Sequence, residues 1–255
     1  MTRRPTRLDK KFDLLREKTE RGALKAASSN RALNKLASNK LAVLGLAFVT
    51  IMILSSVFAP LVTQYDPQKV DLRMMLKPPS ADHILGTDKI GRDVFARIIY
   101  GGRISILVGL GSALGAALIG VSIGAYTAYK GGWLDSTFLR ISEVVMSFPQ
   151  IILVLMLVTI LGQSLMNLII IFTLTGWGSL YRLTRAQMLS LREEEYVQAL
   201  RAFGLNTFTI CFKHILPNAL GPIMVNITLS TAMFILQEAG LSFLGLGVPL
   251  NIPTW

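Results

Sequence analysis

Val144–Tyr181 reads VVMSFPQIILVLMLVTILGQSLMNLIIIFTLTGWGSLY, and its 38 residues include no Asp, Glu, Lys or Arg. A helix needs about 20 mostly apolar residues to cross a hydrocarbon core, so this run is too long for one crossing. Gly162-Gln163-Ser164-Leu165-Met166-Asn167 supplies a turn near its middle and divides it into two spans. Three other stretches are equally free of charge: Leu41–Val62, Ile104–Tyr129 and Ile215–Gln237, each long enough for one span. The pattern predicts an all-α integral membrane protein with five spans. A β-barrel is excluded, because no stretch alternates with period two over roughly 10-residue segments.

Composition agrees. The 255 residues are 52% hydrophobic and 16% charged, against about 25% charged in an ordinary soluble domain. Residues 1–40 differ from the rest, with twelve Lys/Arg, four Asp/Glu and no long apolar run. Such a leader followed by 22 apolar residues does not fit a cleaved signal peptide, whose apolar part is about 7–15 residues long. The segment 41–62 therefore reads as a retained first span, with a helix expected over Asp9–Leu24 in the leader. The single cysteine, Cys211, forms no internal disulfide.

With the N-terminus in the cytosol and the spans alternating, nineteen Lys/Arg fall inside and seven outside. The inner set comes from residues 1–40, 130–143 and 182–214. The outer set is Lys69, Arg73, Lys77, Lys89, Arg92, Arg97 and Arg103. Cytoplasmic loops carry the excess of basic residues, so the N-terminus is expected inside. The net charge of +11 then reflects loops lying against anionic lipid rather than a nucleic-acid partner.

The cytosolic stretch Leu191–Pro217 has its own pattern. Glu193, Glu194 and Glu195 suit a helix start, where carboxylates meet the positive end of the dipole. Tyr196, Val197, Leu200 and Phe203 recur at helical spacing. Gly204 fits a C-cap, Asn206 or Thr207 can cap a second short helix, and Pro217 marks entry to the fifth span. An exposed apolar stripe needs something to cover it, either lipid or a protein partner.

Gln198-Ala199-Leu200-Arg201-Ala202-Phe203-Gly204, nine further residues and then His214-Ile215-Leu216-Pro217 resemble the cytoplasmic EAA loop of ABC importer permeases. The family pattern is Glu-Ala-Ala, three residues, Gly, nine residues and an Ile/Leu-Pro ending. Gln198 stands at the family's Glu and Leu200 at its second Ala. In that family the loop docks into a groove of the ATP-hydrolysing subunit. The resemblance thus assigns coupling to Glu195, Tyr196, Gln198, Ala199, Leu200, Arg201, Phe203, Gly204, Ile215, Leu216 and Pro217. His83–Asp88, Gly91-Arg92-Asp93, Tyr100–Ser105, Ser190–Glu193, His214–Ala219 and Glu238–Gly247 are similar, in order, to blocks of the C-type permease of dipeptide, oligopeptide and nickel importers.

The chain shows no catalytic pattern of nucleophile, base and orienting group. It has no Gly-x-x-x-x-Gly-Lys-Ser/Thr phosphate loop, so nucleotide chemistry belongs to another polypeptide. Gly86-Thr87-Asp88 and Gly91-Arg92-Asp93 read as turns rather than a metal or phosphate site. His83 and His214 fall on opposite sides of the membrane and cannot share a metal. Gly109, Gly111, Gly115, Gly120 and Gly124 read as positions of close helix packing in the second span. Gln150, Asn167, Asn226, Gln237 and Glu238 lie in or beside spans, where polar groups face protein or water. Glu238, at the outer end of the fifth span, is a gate or structural candidate.

The resemblance implies a type I ABC importer permease fold in the bacterial cytoplasmic membrane, with five spans present of an expected six. It implies a basic segment 1–40, a first span 41–62, an extracytoplasmic loop 63–101 and a permease core 102–255 that includes the coupling loop 191–217. Leu241–Trp255 resembles the outer loop before a sixth span, so the chain is expected to continue. As it stands, Phe243, Leu244, Leu246 and Trp255 are expected at the surface. The implied partners are a second homologous permease, two cytosolic ATP-binding subunits that hold ATP and Mg, an extracytoplasmic binding protein and the lipid bilayer. This chain binds no cofactor of its own. Peptides are the implied substrate; nickel, glutathione or another small solute is the alternative. A channel or ion-driven transporter without an ATPase, or a membrane scaffold, are the rivals of another class.

Overall fold

The computed structural model describes residues 34, 36–249 and 251–255, and the expected helix over Asp9–Leu24 lies outside them. The chain forms two units, one ending at Leu54 and one from Ser55 to Trp255. The described part of the first unit is essentially one helix, α1 (Lys40–Val57), which runs into the second. Asn39 Oδ1 accepts from the Ala42 N–H at 3.2 Å and caps it. Its side chains are apolar all round and exposed, among them Leu41, Leu44, Phe48 and Ile51, as in a helix whose solvent is lipid.

The second unit holds α2 (Ala59–Val62), α3 (Val94–Lys130), α4 (Gly132–Ser147), α5 (Gln150–Leu161), α6 (Leu165–Leu191), α7 (Glu195–Ala202) and α8 (Thr207–Phe243). Among the described residues, α1, α3 and α8 are long and apolar enough to cross a membrane, and the bent pair α4–α5 makes up to four. The expected division at Gly162–Asn167 is present between α5 and α6. The expected third span differs. Helix α5 has only 12 residues, about 18 Å of rise, and meets α4 at 86°. Pro149 explains the bend, since it forces Phe148 into an extended conformation. Helix α6 has 27 residues, but Arg182 and Arg185 fall in its second half.

The most extensive helix pair is α3 with α6, and α8 packs on both. A Cβ on Gly120 would lie 2.5 Å from the Trp177 carbonyl oxygen, and one on Gly124 2.8 Å from that of Tyr181. The glycines therefore bring two backbones together, as expected. Gly109 does the same toward Thr231 and Ile235 of α8, and Gly115 toward Thr173. Gly111 does not: its added Cβ would meet only Ile169 methyls at 3.8 Å. Phe172 and Phe234 stack at 5.3 Å in the core toward the α5–α6 turn, and Trp177 and Tyr181 meet edge to face at 5.8 Å in the next layer.

The loop before α3 is built from turns. Gly86 and Gly91 have φ of 71° and 77°. Asp93 caps α3, its Oδ1 accepting from the Ala96 N–H at 2.6 Å while Oδ2 lies 2.7 Å from His83 Nδ1. Arg92 Nε donates to Asp88 Oδ2 at 2.7 Å. Burial pushes the Asp88 carboxyl up, but the Arg92 and Ile90 backbone N–H groups and the Arg92 guanidinium outweigh it and hold the carboxyl below its ordinary value. No group of three or more metal-ligating side chains occurs among the described residues.

The expectation of a wholly exposed C-terminal stretch needs correction. Phe243 is 91% exposed and Leu244 59%, but Leu246 and Trp255 are half-buried. Trp255 Nε1 donates to the Ile98 carbonyl at 2.8 Å and its N–H donates to Ser105 Oγ at 3.0 Å. Gly101 and Gly102 make the seat, because side chains there would collide with Thr254 and Trp255.

Candidate functional site

Helix α6 stops at Leu191, and the chain turns into the segment expected to couple. Glu194 is the N-cap residue of α7, with Glu195 in its first turn. Gln198 Nε2 donates to the Glu193 carbonyl at 3.1 Å. A carboxylate could not make that bond, so Gln198 closes the turn in a way a Glu would not. The C-terminus of α7 closes as a Schellman motif: the Leu205 N–H reaches the Leu200 carbonyl at 3.3 Å and the Gly204 N–H that of Arg201 at 2.9 Å. Gly204 takes φ of 76° with open space around it. Only its backbone angle restricts what can stand there.

The expected stripe splits in two. Val197 is fully buried and Leu200 half-buried, both against Ala125, Ala128, Met188, Cys211 and Ile215. Phe203 is 82% exposed and Phe208 63%, and they flank Gly204 on the outer side. Tyr196 is exposed but its hydroxyl accepts from Asn218 Nδ2 at 3.2 Å. Ala199 is exposed, Ile215 buried and Leu216 half-buried.

Two arginines pin the segment to the end of α3. Arg201 Nε donates to the Tyr129 hydroxyl at 3.1 Å, its guanidinium 5.1 Å from that ring's centroid. Arg192 Nη1 donates to the Ala128 carbonyl at 3.0 Å. Nearby, Arg185 of α6 grips Asp135 of α4 with two bonds of 2.7 and 2.6 Å, the fork geometry that suits a carboxylate. Tyr129, Arg192, Asp135 and Arg185 were not among the expected site residues.

The expected second short helix is not separate. After the Asn206 cap, α8 begins at Thr207, passes through a π-helical stretch at Ile210–Ile215 and continues beyond Pro217 and Pro222. Pro217 lies in the first turn of the α-helical part, where its missing N–H is tolerated. Glu238 lies toward the other end of α8, fully buried, its Oε1 accepting from Ser242 Oγ at 2.7 Å. It lies outside the segment expected to couple.

Comparison with known proteins gives this geometry its context. Residues 106–255 match the model for the binding-protein-dependent transport system inner membrane component, and residues 29–79 that for the N-terminal TM domain of oligopeptide transport permease C. The oligopeptide transport system permease protein OppC of Bacillus subtilis (strain 168) is 42% identical over 88% of this chain and 73% of its own length. The dipeptide transport system permease protein DppC of Alkalihalophilus pseudofirmus is 42% identical over 88% of this chain and 74% of its own. With this likeness over most of its length, the chain belongs to the binding-protein-dependent inner membrane components of ABC transporters, in the branch of the oligopeptide and dipeptide permeases.

Proposed function

We propose that the chain is one permease subunit of an ATP-driven importer that carries di- or oligopeptides across the bacterial cytoplasmic membrane. It pairs with a second, homologous permease, receives substrate from an extracytoplasmic binding protein, and docks two cytosolic subunits that hold ATP and Mg. The N-terminus and residues 182–214 face the cytosol, and residues 63–103 lie outside. The relatives named above support the peptide substrate.

The observation that carries the coupling role is the two-sided segment 195–213. One side is locked onto the ends of α3 and α6 by Val197 and Arg201. The other presents Phe203 and Phe208 largely exposed, with Phe208 resting on Phe212 at 4.5 Å between ring centroids. Such a segment behaves as a lever: what grips the two aromatics displaces the helices. An ATPase that holds it differently in its two nucleotide states biases the permease between inward- and outward-facing forms.

The test is co-purification of the tagged chain with its ATPase, together with ATP hydrolysis and peptide uptake by the assembled complex. Phe203→Asp should weaken ATPase recovery, by about tenfold in affinity if Phe203 is an anchor of the contact. Gly204→Val should leave insertion intact but separate hydrolysis from uptake. Full recovery and full uptake in both variants would remove the segment from the coupling role.

A further inference from the structure

Helices α4, α5, α6 and α8 enclose an open cleft of about 400 Å³ that lies apart from the segment 191–217 and borders the packed core at Phe234. Its polar wall is regular. Thr175 and Ser179 stand four apart on α6, Asn226 and Ser230 four apart on α8, and Gln150 opens α5 just after the Pro149 elbow. Residues four apart share one helix face, so two polar pairs look into one space from helices that are otherwise apolar. Hydrogen-bonding side chains in such helices face protein or water, because lipid leaves them unsatisfied. Each is already held locally: Thr175 Oγ1 donates to the Ile171 carbonyl at 2.9 Å, Ser179 Oγ to that of Gly176 at 3.0 Å, Ser230 Oγ to Asn226 Oδ1 at 3.5 Å, and Gln237 Nε2 to Gln150 Oε1 at 3.3 Å. The remaining lone pairs and amide protons are left for a guest. The wall is also free of charge. Arg182 is not among the lining residues, and its Nε lies 3.2 Å from the Sδ of Met146, which is.

We propose that this cleft contacts peptide in transit through its main chain, and that its neutrality makes the chain indifferent to the charge of peptide side chains. Asn226 and Ser230 are the positions that set this indifference. A peptide backbone offers N–H and C=O groups at every residue, which neutral hydroxyls and amides bind without regard to sequence. A fixed charge in the same low-dielectric wall would attract one sign of substrate and repel the other. Met146 and Met233 on the apolar side add flexible surface that adapts to different side chains. The inference rests on the peptide-importer reading.

The experiment measures uptake of trialanine and of its single-Lys and single-Glu counterparts by the complete transporter in proteoliposomes. The same binding protein is used throughout, so its own preferences cancel in the comparison of variants with wild type. Wild type should move all three, and it sets the reference ratio of Lys to Glu peptide. Asn226→Asp and Ser230→Asp should raise the ratio of Lys to Glu peptide by on the order of tenfold, and Ser230→Lys should shift it the opposite way. That reversal of sign distinguishes a substrate contact from a merely structural defect. Ser230→Cys in a Cys211→Ala background gives a milder probe, whose labelling by a thiol reagent should slow when trialanine occupies the path. Ratios unmoved in the charged variants, or labelling indifferent to trialanine, overturn the inference. A wild type that moves none of the three peptides removes the peptide reading itself, and this inference with it.

Discussion

Replacing Gly120 by Ala inserts one methyl group between α3 and α6, and the structure says how much room there is. The new Cβ would sit 2.5 Å from the Trp177 carbonyl oxygen, 2.8 Å from the Tyr181 nitrogen and 3.0 Å from Leu180 Cβ. Two of these three are backbone atoms, which cannot swing aside as a side chain would. The helices must separate by about 1 Å, and a gap of that size already forfeits a quarter to a half of each dispersion contact along the seam. Overpacking of this kind costs about 1–3 kcal/mol, partly offset by the roughly 0.5–1 kcal/mol that Ala gains over Gly in a helix. Gly111, nine residues earlier on the same helix, is the internal control. There the Cβ would meet Ile169 methyls at 3.8 Å, ordinary contact, and only the helix gain of about 0.5–1 kcal/mol remains. Thermal unfolding of the detergent-purified complex should therefore show Gly120→Ala lowering Tm and Gly111→Ala raising it. At roughly 2–4 °C per kcal/mol for a chain of this size, both shifts are measurable. Equal shifts of the same sign would refute the close approach of α3 and α6 at Gly120.

Asp135→Asn breaks the two-bonded grip of Arg185 and leaves a partly buried guanidinium short of its counter-charge. Removing one partner of a buried pair costs about 3–5 kcal/mol; at side-chain exposures of 12% and 24% the lower end applies, and it should appear as a loss of Tm with the helix content retained. For orientation, single cysteines replace Ser80 and Ser190 in a Cys211→Ala background. An impermeant thiol reagent on intact cells should label the Ser80→Cys chain and spare the Ser190→Cys chain; the reverse pattern would invert the topology.

The charge-free runs made the helices legible, because the requirement to hide backbone polar groups in lipid acts on sequence directly. Helix ends were legible where glycine marks them, at Gly162 and Gly204, both of positive φ. Of two prolines that matter, Pro217 was read and Pro149 was not. Pro149 bends α4 against α5 by 86°, and the signal was present in the dipeptide Phe148-Pro149. Pro217 was read as the entry to the fifth span, and the α-helical stretch does begin beside it at Leu216, but the π-helical turn before it joins it to Thr207 without a break. There the proline falls in a first turn, and the π-helical stretch just before it takes up the change in hydrogen bonding. The apolar stripe of the coupling segment was legible as a stripe but not as two surfaces. Periodicity reports which residues share a face, and Phe203, as the C-cap of α7, no longer obeys it. The Arg201–Tyr129, Arg192–Ala128 and Arg185–Asp135 contacts join positions 72, 64 and 50 residues apart, and no local pattern announces such pairs.

The unbroken passage from the coupling segment into α8 bears on how the proposed lever would act. Had the chain paused at Pro217, as the sequence suggested, a movement of Phe203 and Phe208 could have been absorbed in a hinge before reaching the membrane. Instead Thr207–Phe243 is one helix of 37 residues, about 55 Å long. Asn226 and Ser230 lie midway along it, on the wall of the polar cleft. The irregular turns between them and Phe208 are the π-helical stretch at Ile210–Ile215 and Pro222, inside the helix. The π-helical stretch has its apolar side chains Ile210, Cys211 and Ile215 buried against α3, α6 and α7, so that turn is held by packing on several sides. A displacement imposed at Phe208 therefore reaches Asn226 and Ser230 through helix rather than loop. Arg192 and Arg201 carry the same displacement into α3 by way of Ala128 and Tyr129. The cleft wall on α8 and the α3–α6 seam would then move together.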